Sequence, residues 1–273
     1  MIMLNKKIVG GVLAFILVLV FYAVYQKTDQ KPAVVFLDVG QGDSQLIILP
    51  GDVQILVDAG PSNRISAKLA AYLPFYDKDI ELAILTHPHM DHLNGFVSVF
   101  RDYNVKNFIF SGANYESKLY ADFLKILESE GSSVYTARVG DIVNYNSQPI
   151  LKIISPAQVL LGQSFKNIHD SVIVSELNFG HKKFLLTGDA DEVLDRKLMA
   201  LNLLGDVDVL KVGHHGSQTA TPMELLRAVR PEEAVIQVGN NSYGHPTQTV
   251  LDRLAEFGVK IFRNDEVGDV IYK

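Results

Sequence analysis

The sequence contains neither cysteine nor tryptophan, and its 25 basic residues are outnumbered by 31 acidic ones. Without cysteine the chain can form no disulfide, no thiolate metal site and no cysteine nucleophile. The formal charge of −6 argues against a general electrostatic attraction to nucleic acid, because that attraction comes from clustered lysine and arginine. With 48% hydrophobic residues, the composition also differs from that of disordered chains. The sequence therefore predicts a folded protein whose polar chemistry uses oxygen and imidazole groups.

A hydrophobic segment without charges lies near the N-terminus, at positions 8–25, with the sequence IVGGVLAFILVLVFYAVY. Its length approaches the roughly 20 residues that a helix needs to cross a bilayer. Lys6 and Lys7 precede it, so the positive-inside rule places the N-terminus inside and the rest of the chain outside. We predict a single-pass cell-membrane anchor with its linker at 1–32. The alternative is a cleaved signal peptide, which would release a secreted protein.

Positions 33–273 are predicted to form one α/β domain. Strand-like runs joined by turns occur at 33–39, 44–50 and 53–59, and alternating helical and strand-like runs follow. Several strands lead directly into helices, while strand clusters occupy both ends of the domain. This pattern indicates two sheets covered by helices.

Three histidines and an aspartate fall in the short run THPHMDH at 86–92. His87 and His89 are two residues apart, and the proline between them favours extended backbone. Alternate residues of extended backbone point the same way, so both imidazoles can reach one metal ion. Asp91 and His92 begin the following helix and diverge from the first pair, which suits a second metal ion. Zinc is the metal expected for such ligands, with manganese as the alternative, and the competing role for Asp91 is a helix N-cap.

This His-x-His-x-Asp-His run resembles the hallmark motif of the metallo-β-lactamase superfamily. Four further segments resemble the hydrolase domain of ComEC-type competence proteins and related stand-alone hydrolases: FLDVGQGDS (36–44), LLTGDAD (185–191), LKVGHHGS (210–217) and SYGHP (242–246). The resemblance covers about 33–273 and implies an αββα sandwich with metals at the sheet edges. Many ComEC-type domains have an imperfect first motif, so the complete motif here strengthens the expectation of two metal ions. One anchor cannot form a DNA channel, so the resemblance carries over the hydrolase and not the transport role.

The resemblance also implies which residues complete the metal site. Asp189 would bridge the two ions, and His215, in preference to His214, would complete the second position. His169 would supply the remaining ligand of the first position, with a substrate contact or no role as alternatives. The expected metal ligands are His87, His89, Asp91, His92, His169, Asp189 and His215.

Three aspartates at the ends of strand-like runs face the same region. Asp58 is expected to orient a ligating histidine from behind, by accepting a hydrogen bond from its second nitrogen. Asp38 and Asp43 flank the glycines of the GQGD loop, and stabilising that turn is an equal alternative for both.

Further polar residues follow the last strands of the domain. The resemblance places His245 near the active site, where it would bind phosphate or protonate a leaving group. His214 would contact substrate or support the metal ligands. Three residues are candidate phosphate contacts or, alternatively, stabilise turns: Ser217, Asn241 and Tyr243.

The predicted reaction is hydrolysis by a metal-activated water, with Asp91 and His245 as catalytic residues. Two divalent cations lower the pKa of a bound water and polarise the scissile group, so no protein nucleophile is required. A phosphodiester is the expected substrate, and the resemblance suggests DNA. The alternatives are a lactonase or β-lactamase-like hydrolase of small molecules, and a non-catalytic binding domain that a metal stabilises. No protein partner is predicted.

Overall fold

Two seven-stranded sheets form the centre of the fold in residues 6–29 and 31–273, which the computed structural model describes. The first sheet has the order β14-β1-β2-β3-β4-β5-β6 and the second β13-β12-β11-β10-β9-β8-β7. The strands of the first sheet are β1 (Ala33–Phe36), β2 (Gln45–Leu49), β3 (Val53–Val57), β4 (Asp79–Leu85), β5 (Asn104–Phe110), β6 (Ser133–Thr136) and β14 (Val270–Tyr272). Those of the second are β7 (Ile142–Tyr145), β8 (Gln148–Ser155), β9 (Val174–Phe179), β10 (Lys182–Leu186), β11 (Val209–Lys211), β12 (Glu233–Ile236) and β13 (Lys260–Arg263).

Helix α1 (Lys6–Asp29) precedes the first strand. The other helices connect the strands, and several of them cover the outer faces of the sheets: α2 (Arg64–Tyr72), α3 (Met90–Leu93), α4 (Phe96–Asp102), α5 (Lys118–Ser129), α6 (Glu192–Ala200), α7 (Met223–Val229), α8 (Gln248–Phe257) and α9 (Asn264–Val267). Two short 3₁₀ helices, Ile168–Ser171 and Gly213–Gly216, lie in loops that carry histidines.

Three hydrophobic clusters hold the layers together. The cluster between the two sheets includes Phe36 and Phe184, whose ring centroids are 6.3 Å apart. A second cluster packs α2, α4 and α5 on the first sheet, with Phe96 and Phe108 in edge contact at 5.3 Å. The third packs α6, α7 and α8 on the second sheet through leucine and valine side chains. This layering confirms the predicted αββα sandwich.

The helix that was expected to begin at Asp91 and His92 is divided into α3 and α4 at Gly95. The Gly95 N–H donates to the Gly60 carbonyl at 2.9 Å, and a Cβ built on Gly95 would lie only 1.9 Å from the Ala59 carbonyl oxygen. Glycine therefore lets the start of α4 lie directly against the loop after β3. That contact fixes α3 beside the end of β3, where Asp58 lies.

Helix α1 includes the hydrophobic segment at 8–25. The side chains described between positions 10 and 22 are exposed. Among the residues that the structure describes, no helix combines the length and the apolar character that crossing a membrane demands. The structure thus gives no support to the predicted membrane-spanning anchor.

Asp195, in α6, is a buried carboxyl whose ionisation costs stability. It is 2% exposed, one of its oxygens has no hydrogen-bond partner, and burial raises its pKa to about 8. The folded protein therefore keeps a proton that the unfolded chain loses near pH 4, so the free energy of unfolding falls as pH rises from about 4 to 8. We expect Asp195→Asn to raise the free energy of unfolding by about 2 kcal/mol or more at pH 9 and to change that free energy little at pH 4.

Thermal unfolding followed by circular dichroism between pH 4 and pH 9 tests this expectation. Asp122→Asn is the control, because Asp122 is on α5 with its side chain 45% exposed and pairs with Lys118 across one turn. Equal pH dependence in Asp195→Asn and the unsubstituted protein would contradict the assignment.

Candidate metal centre

The predicted site residues come together at one end of the two sheets. Strands β3 to β6 are parallel to one another, and so are β10 to β13, so the loops after these strands meet at common edges. His87 and His89 follow β4, Asp189 follows β10, and His215 follows β11. The short 3₁₀ helix before β9 brings His169 to the same place.

One group of possible metal ligands consists of His87, His89, His169 and Asp189. Their ligand atoms all lie within 4.8 Å of one another. His87 Nε2 is 3.7 Å from Asp189 Oδ2, and the ring centroids of His89 and His169 are 5.0 Å apart. The structure therefore places His169 beside the His87 and His89 pair, in the position that the resemblance implies.

A second group shares Asp189 with the first and adds Asp43, His92 and His215, again within 4.8 Å. The second oxygen of the Asp189 carboxylate faces this group: Asp189 Oδ1 lies 3.3 Å from His92 Nε2 and 3.6 Å from His215 Nε2. Asp91 also reaches this group, with its Oδ2 3.1 Å from His215 Nε2. The two oxygens of one buried carboxylate thus face two different sets of histidines.

Buried polar atoms in both groups lack hydrogen-bond partners. His87 Nε2 makes no hydrogen bond, and His92 Nε2 and Asp189 Oδ1 approach each other without hydrogen-bond alignment. A buried polar atom without a hydrogen-bond partner costs free energy. Imidazole nitrogens and carboxylate oxygens that face one another are the ligand atoms that zinc and similar cations bind. The residues present therefore fit divalent cations, and Asp189 belongs to both groups.

Groups behind His92 and His215 fix which ring nitrogen faces Asp189. His92 Nδ1 lies 2.7 Å from Asp58 Oδ2, and Asp58 in turn accepts hydrogen bonds from the amide and hydroxyl of Thr86. His215 Nδ1 lies 2.8 Å from the Gln237 carbonyl oxygen. Since a carbonyl only accepts, His215 carries a proton on Nδ1, and a neutral His215 ring presents Nε2 as a free ligand atom.

Charge compensation in the second group comes from its own histidines. Burial raises the pKa of Asp189, but the charges of His215 and His92 outweigh burial and hold that pKa well below its usual range. Burial lowers the pKa of His215, yet Asp189 and Asp43 outweigh it and raise this pKa to about 10. Metal ligands bind as deprotonated groups, so a cation bound here would displace the proton that His215 holds.

An open cleft of about 660 Å³ lies over the shared carboxylate. His214 is at its floor, with Nε2 3.8 Å from Asp189 Oδ2 and its ring centroid 5.6 Å from that of His245. Burial and the nearby His215 lower the pKa of His245, so its ring is a neutral group at neutral pH. Tyr115 lines the cleft beside His89. Within the described residues, no lysine or arginine lines this cleft.

The three candidate phosphate contacts are placed differently. Asn241 uses its amide to donate to the Gly239 and His245 carbonyls, and its Oδ1 accepts from two amides of the same turn. Ser217 lies outside the cleft lining and pairs with Thr219. Tyr243 lines the cleft and is 73% exposed. Of the three, Tyr243 is the side chain that is free to meet a substrate.

Lys211 is the residue that sequence reasoning did not place at the metal centre. For Asp43 the sequence left two roles open, one facing the site and one in the glycine turn, and the structure puts its carboxylate beside His215, with Oδ1 3.2 Å from Nδ1. Lys211 is fully buried although it carries a charge. A signal for Lys211 existed in the sequence, because a lysine inside the apolar run VLKV has to be paired when that strand is buried.

Comparison with known proteins agrees with this arrangement. The model of the metallo-β-lactamase superfamily matches residues 37–239. The chain is 26% identical to ComE operon protein 3 of Bacillus subtilis, over 97% of this chain and 36% of that protein. It is 33% identical to recombination protein 2 of Haemophilus influenzae, over 89% of this chain and 29% of that protein.

A solved structure shows the same fold at low identity. The metallo-β-lactamase fold protein YhfI of Bacillus subtilis matches with a TM-score of 0.56 and 12% identity, over 89% of this chain and all of that chain. The chain spans about a third of the length of the two curated relatives. The resemblance to ComEC-type competence proteins that the motifs indicate is confirmed, and the chain belongs to the metallo-β-lactamase superfamily.

Proposed function

We propose that this chain is a hydrolase of phosphodiesters that works with two divalent cations, zinc or alternatively manganese. The observation that carries the proposal is the divided use of Asp189, whose Oδ2 faces His87 and whose Oδ1 faces His92 and His215. One carboxylate between two histidine sets suits a two-metal site, which stabilises both the attacking and the leaving oxygen of a displacement.

The side chains divide into two ligand sets that share Asp189. His87, His89 and His169 would hold the first cation. Asp91, His92 and His215 would hold the second. When bound, such cations activate a water molecule and polarise the oxygen of the scissile group. Asp91 remains a carboxylate throughout: burial raises its pKa, but the hydrogen bond with His215 outweighs burial and lowers that pKa to about 2.

The cleft favours a substrate that the cations themselves attract. Because no lysine or arginine lines it within the described residues, a phosphate group must be neutralised by the cations and by histidines. His245 faces this space with a neutral ring whose buried Nδ1 has no hydrogen-bond partner. An anionic phosphate nearby would raise the pKa of His245 and so favour the protonated form that can serve a leaving oxygen.

DNA is the substrate that we propose within this class. This proposal is supported by the similarity to proteins named for competence and recombination. The chain matches about a third of the length of each of these proteins. We also propose that the unit at 33–273 is the hydrolase domain and that it lies outside the cell membrane, with the N-terminus inside. Separation of membranes from soluble fractions, followed by protease treatment of intact cells, would test the location.

A substrate panel tests the proposed activity. The full chain, stripped of metal and then loaded with zinc or manganese, would be assayed on bis-p-nitrophenyl phosphate, linear single-stranded DNA, plasmid DNA, nitrocefin and a simple lactone. We expect two cations per chain and hydrolysis of the phosphodiesters, which a chelator abolishes and added metal restores.

Two results would overturn this assignment. Turnover of nitrocefin or the lactone with none of the diesters would identify a hydrolase of small molecules. Two bound cations with no turnover on the whole panel would identify a binding domain that the metals stabilise.

A further inference from the structure

Lys211, the last residue of β11, is a fully buried lysine directly beneath the metal centre. Its ammonium group lies 2.6 Å from Asp43 Oδ2, and it donates to the Gly188 carbonyl at 2.8 Å and the Val212 carbonyl at 3.0 Å. Two of the three ammonium donors serve these carbonyls, and the contact with Asp43 is an ion pair without hydrogen-bond alignment. A buried ammonium with these three partners is held at one place in the fold.

The three partners of Lys211 belong to three of the four segments that form the second ligand group. Gly188 directly precedes the shared carboxylate, and Val212 begins the turn that carries the paired histidines. His214 and His215 in that turn have φ angles of 43° and 51°, a left-handed conformation that side chains other than glycine adopt only when their surroundings hold them. Lys211 supplies part of that hold.

The third partner, Asp43, extends the contact to the histidine rings. Its Oδ1 is 3.2 Å from His215 Nδ1, and its Oδ2 is 3.9 Å from His92 Nδ1. Its backbone amide donates to the Asp91 carbonyl at 3.2 Å. Asp43 therefore faces the Nδ1 side of both rings, whereas Asp189 is approached by their Nε2 atoms.

We propose that Lys211 and Asp43 are a positioning pair for the second ligand group. Through the three contacts of the ammonium, they hold His92, His215 and Asp189 in the arrangement that a cation needs, and neither of them binds the cation. This inference rests on the proposed cation pair, and it assigns to two further residues a share in binding the second cation.

A direct ligand role for Asp43 is the competing interpretation, because its carboxylate lies within 4.8 Å of the other ligand atoms of the group. The two interpretations predict opposite effects of removing Lys211. If Asp43 were a ligand, Lys211→Met would free a carboxylate and strengthen cation binding. If the pair positions the histidines, the same change weakens binding.

A double-mutant cycle on the full chain tests the proposal, with Lys211→Met, Asp43→Asn and the double variant. Zinc affinity would be measured by competition with a chromogenic chelator, and ligand geometry from the visible spectrum of the cobalt form. We expect one of the two zinc equivalents to bind about 10- to 100-fold more weakly in each single variant. The double variant should lose no more than either single one, because both act through one contact.

The double variant also keeps the test decisive if a single variant does not fold. A single substitution leaves a buried charge unpaired, whereas removing both charges leaves none, so the double variant should unfold near the temperature of the unsubstituted protein even if Lys211→Met does not fold. The matched control is Lys183→Met with Glu176→Gln, a lysine–glutamate pair at 3.7 Å near the β9–β10 turn of the same sheet. This control should keep the affinity for both zinc ions.

Each outcome decides the question. Stronger zinc binding in Lys211→Met, additive losses in the double variant, or unchanged affinity and cobalt spectrum in a folded double variant would overturn the positioning pair. If the unsubstituted chain binds two zinc ions and the variants bind them equally well, the inference fails while the proposed function stands. If the unsubstituted chain binds no zinc, the proposed function fails first.

Discussion

Replacing Asp189 by asparagine is expected to remove tight zinc binding from both ligand groups and to lower phosphodiester hydrolysis by at least about 1,000-fold. The reason is the position of this carboxylate, whose two oxygens face His87 on one side and His92 and His215 on the other. Asparagine loses the negative charge and presents an NH₂ group, which cannot bind a cation, to one of the two sides. Zinc content after gel filtration and kcat/KM on bis-p-nitrophenyl phosphate would measure the effect.

Asp191→Asn is the matched control for this substitution. Asp191 lies in the same loop and caps α6 by accepting from the Val193 and Leu194 amides, a role that asparagine fulfils equally well. We expect this variant to keep both zinc ions and nearly full activity. One zinc ion retained with unchanged affinity in Asp189→Asn would show that the carboxylate serves one group only, and would contradict the shared role.

Replacing His245 by glutamine is expected to lower kcat by about 100-fold or more while both zinc ions remain bound. The His245 ring lies in the cleft 5.6 Å from the His214 ring, and it belongs to neither group of possible ligands. Its pKa is lowered by burial and by His215. A loss in kcat without a loss of metal separates a proton-transfer or phosphate contact from a ligand role.

The pH profile gives the second readout for His245. In His245→Gln the part of the pH profile that reflects a titrating histidine should be absent. The variant should also lose less activity on a substrate with a good leaving group, which needs less protonation, than on a substrate with a poor leaving group. His181→Gln is the control, because His181 is exposed at the turn between β9 and β10. Loss of zinc from His245→Gln, or equal losses on both substrates, would contradict the proposed role.

The elements of the fold are predictable from the sequence because they depend on local periodicity. The apolar runs at 33–39, 44–50 and 53–59 contain β1, β2 and β3, whose observed ends lie close to the ends of the runs. The split of one helix at Gly95 was missed, since it follows from contact with Ala59 rather than from helix propensity. The membrane-spanning anchor also rested on local composition, and the structure does not support it.

The candidate site is predictable to the extent that its ligands lie in one short motif. His87 and His89 are close in sequence, so extended backbone alone directs both rings to one point. For His169 and Asp189 the sequence offered only a resemblance, because nothing in their local neighbourhoods indicates which loop lies opposite. The sheet pairing supplies that information: β9 runs antiparallel to β10, and β11 runs parallel to it, so the loop before β9 meets the loops after β10 and β11.

The sequence by itself determined the absence of thiol chemistry, the alternation of strands and helices, and the imidazole and carboxylate character of the metal ligands. Only the tertiary structure decided that the two oxygens of Asp189 face different histidine sets, and that Lys211 joins Asp43 beneath them. Gln237 shows the reason, since its side chain donates to the Leu37 and Ser44 carbonyls and so joins the two sheets at the floor of the site. Such contacts depend on how two sheets pack, and a periodic pattern along one chain segment carries no information about its partner.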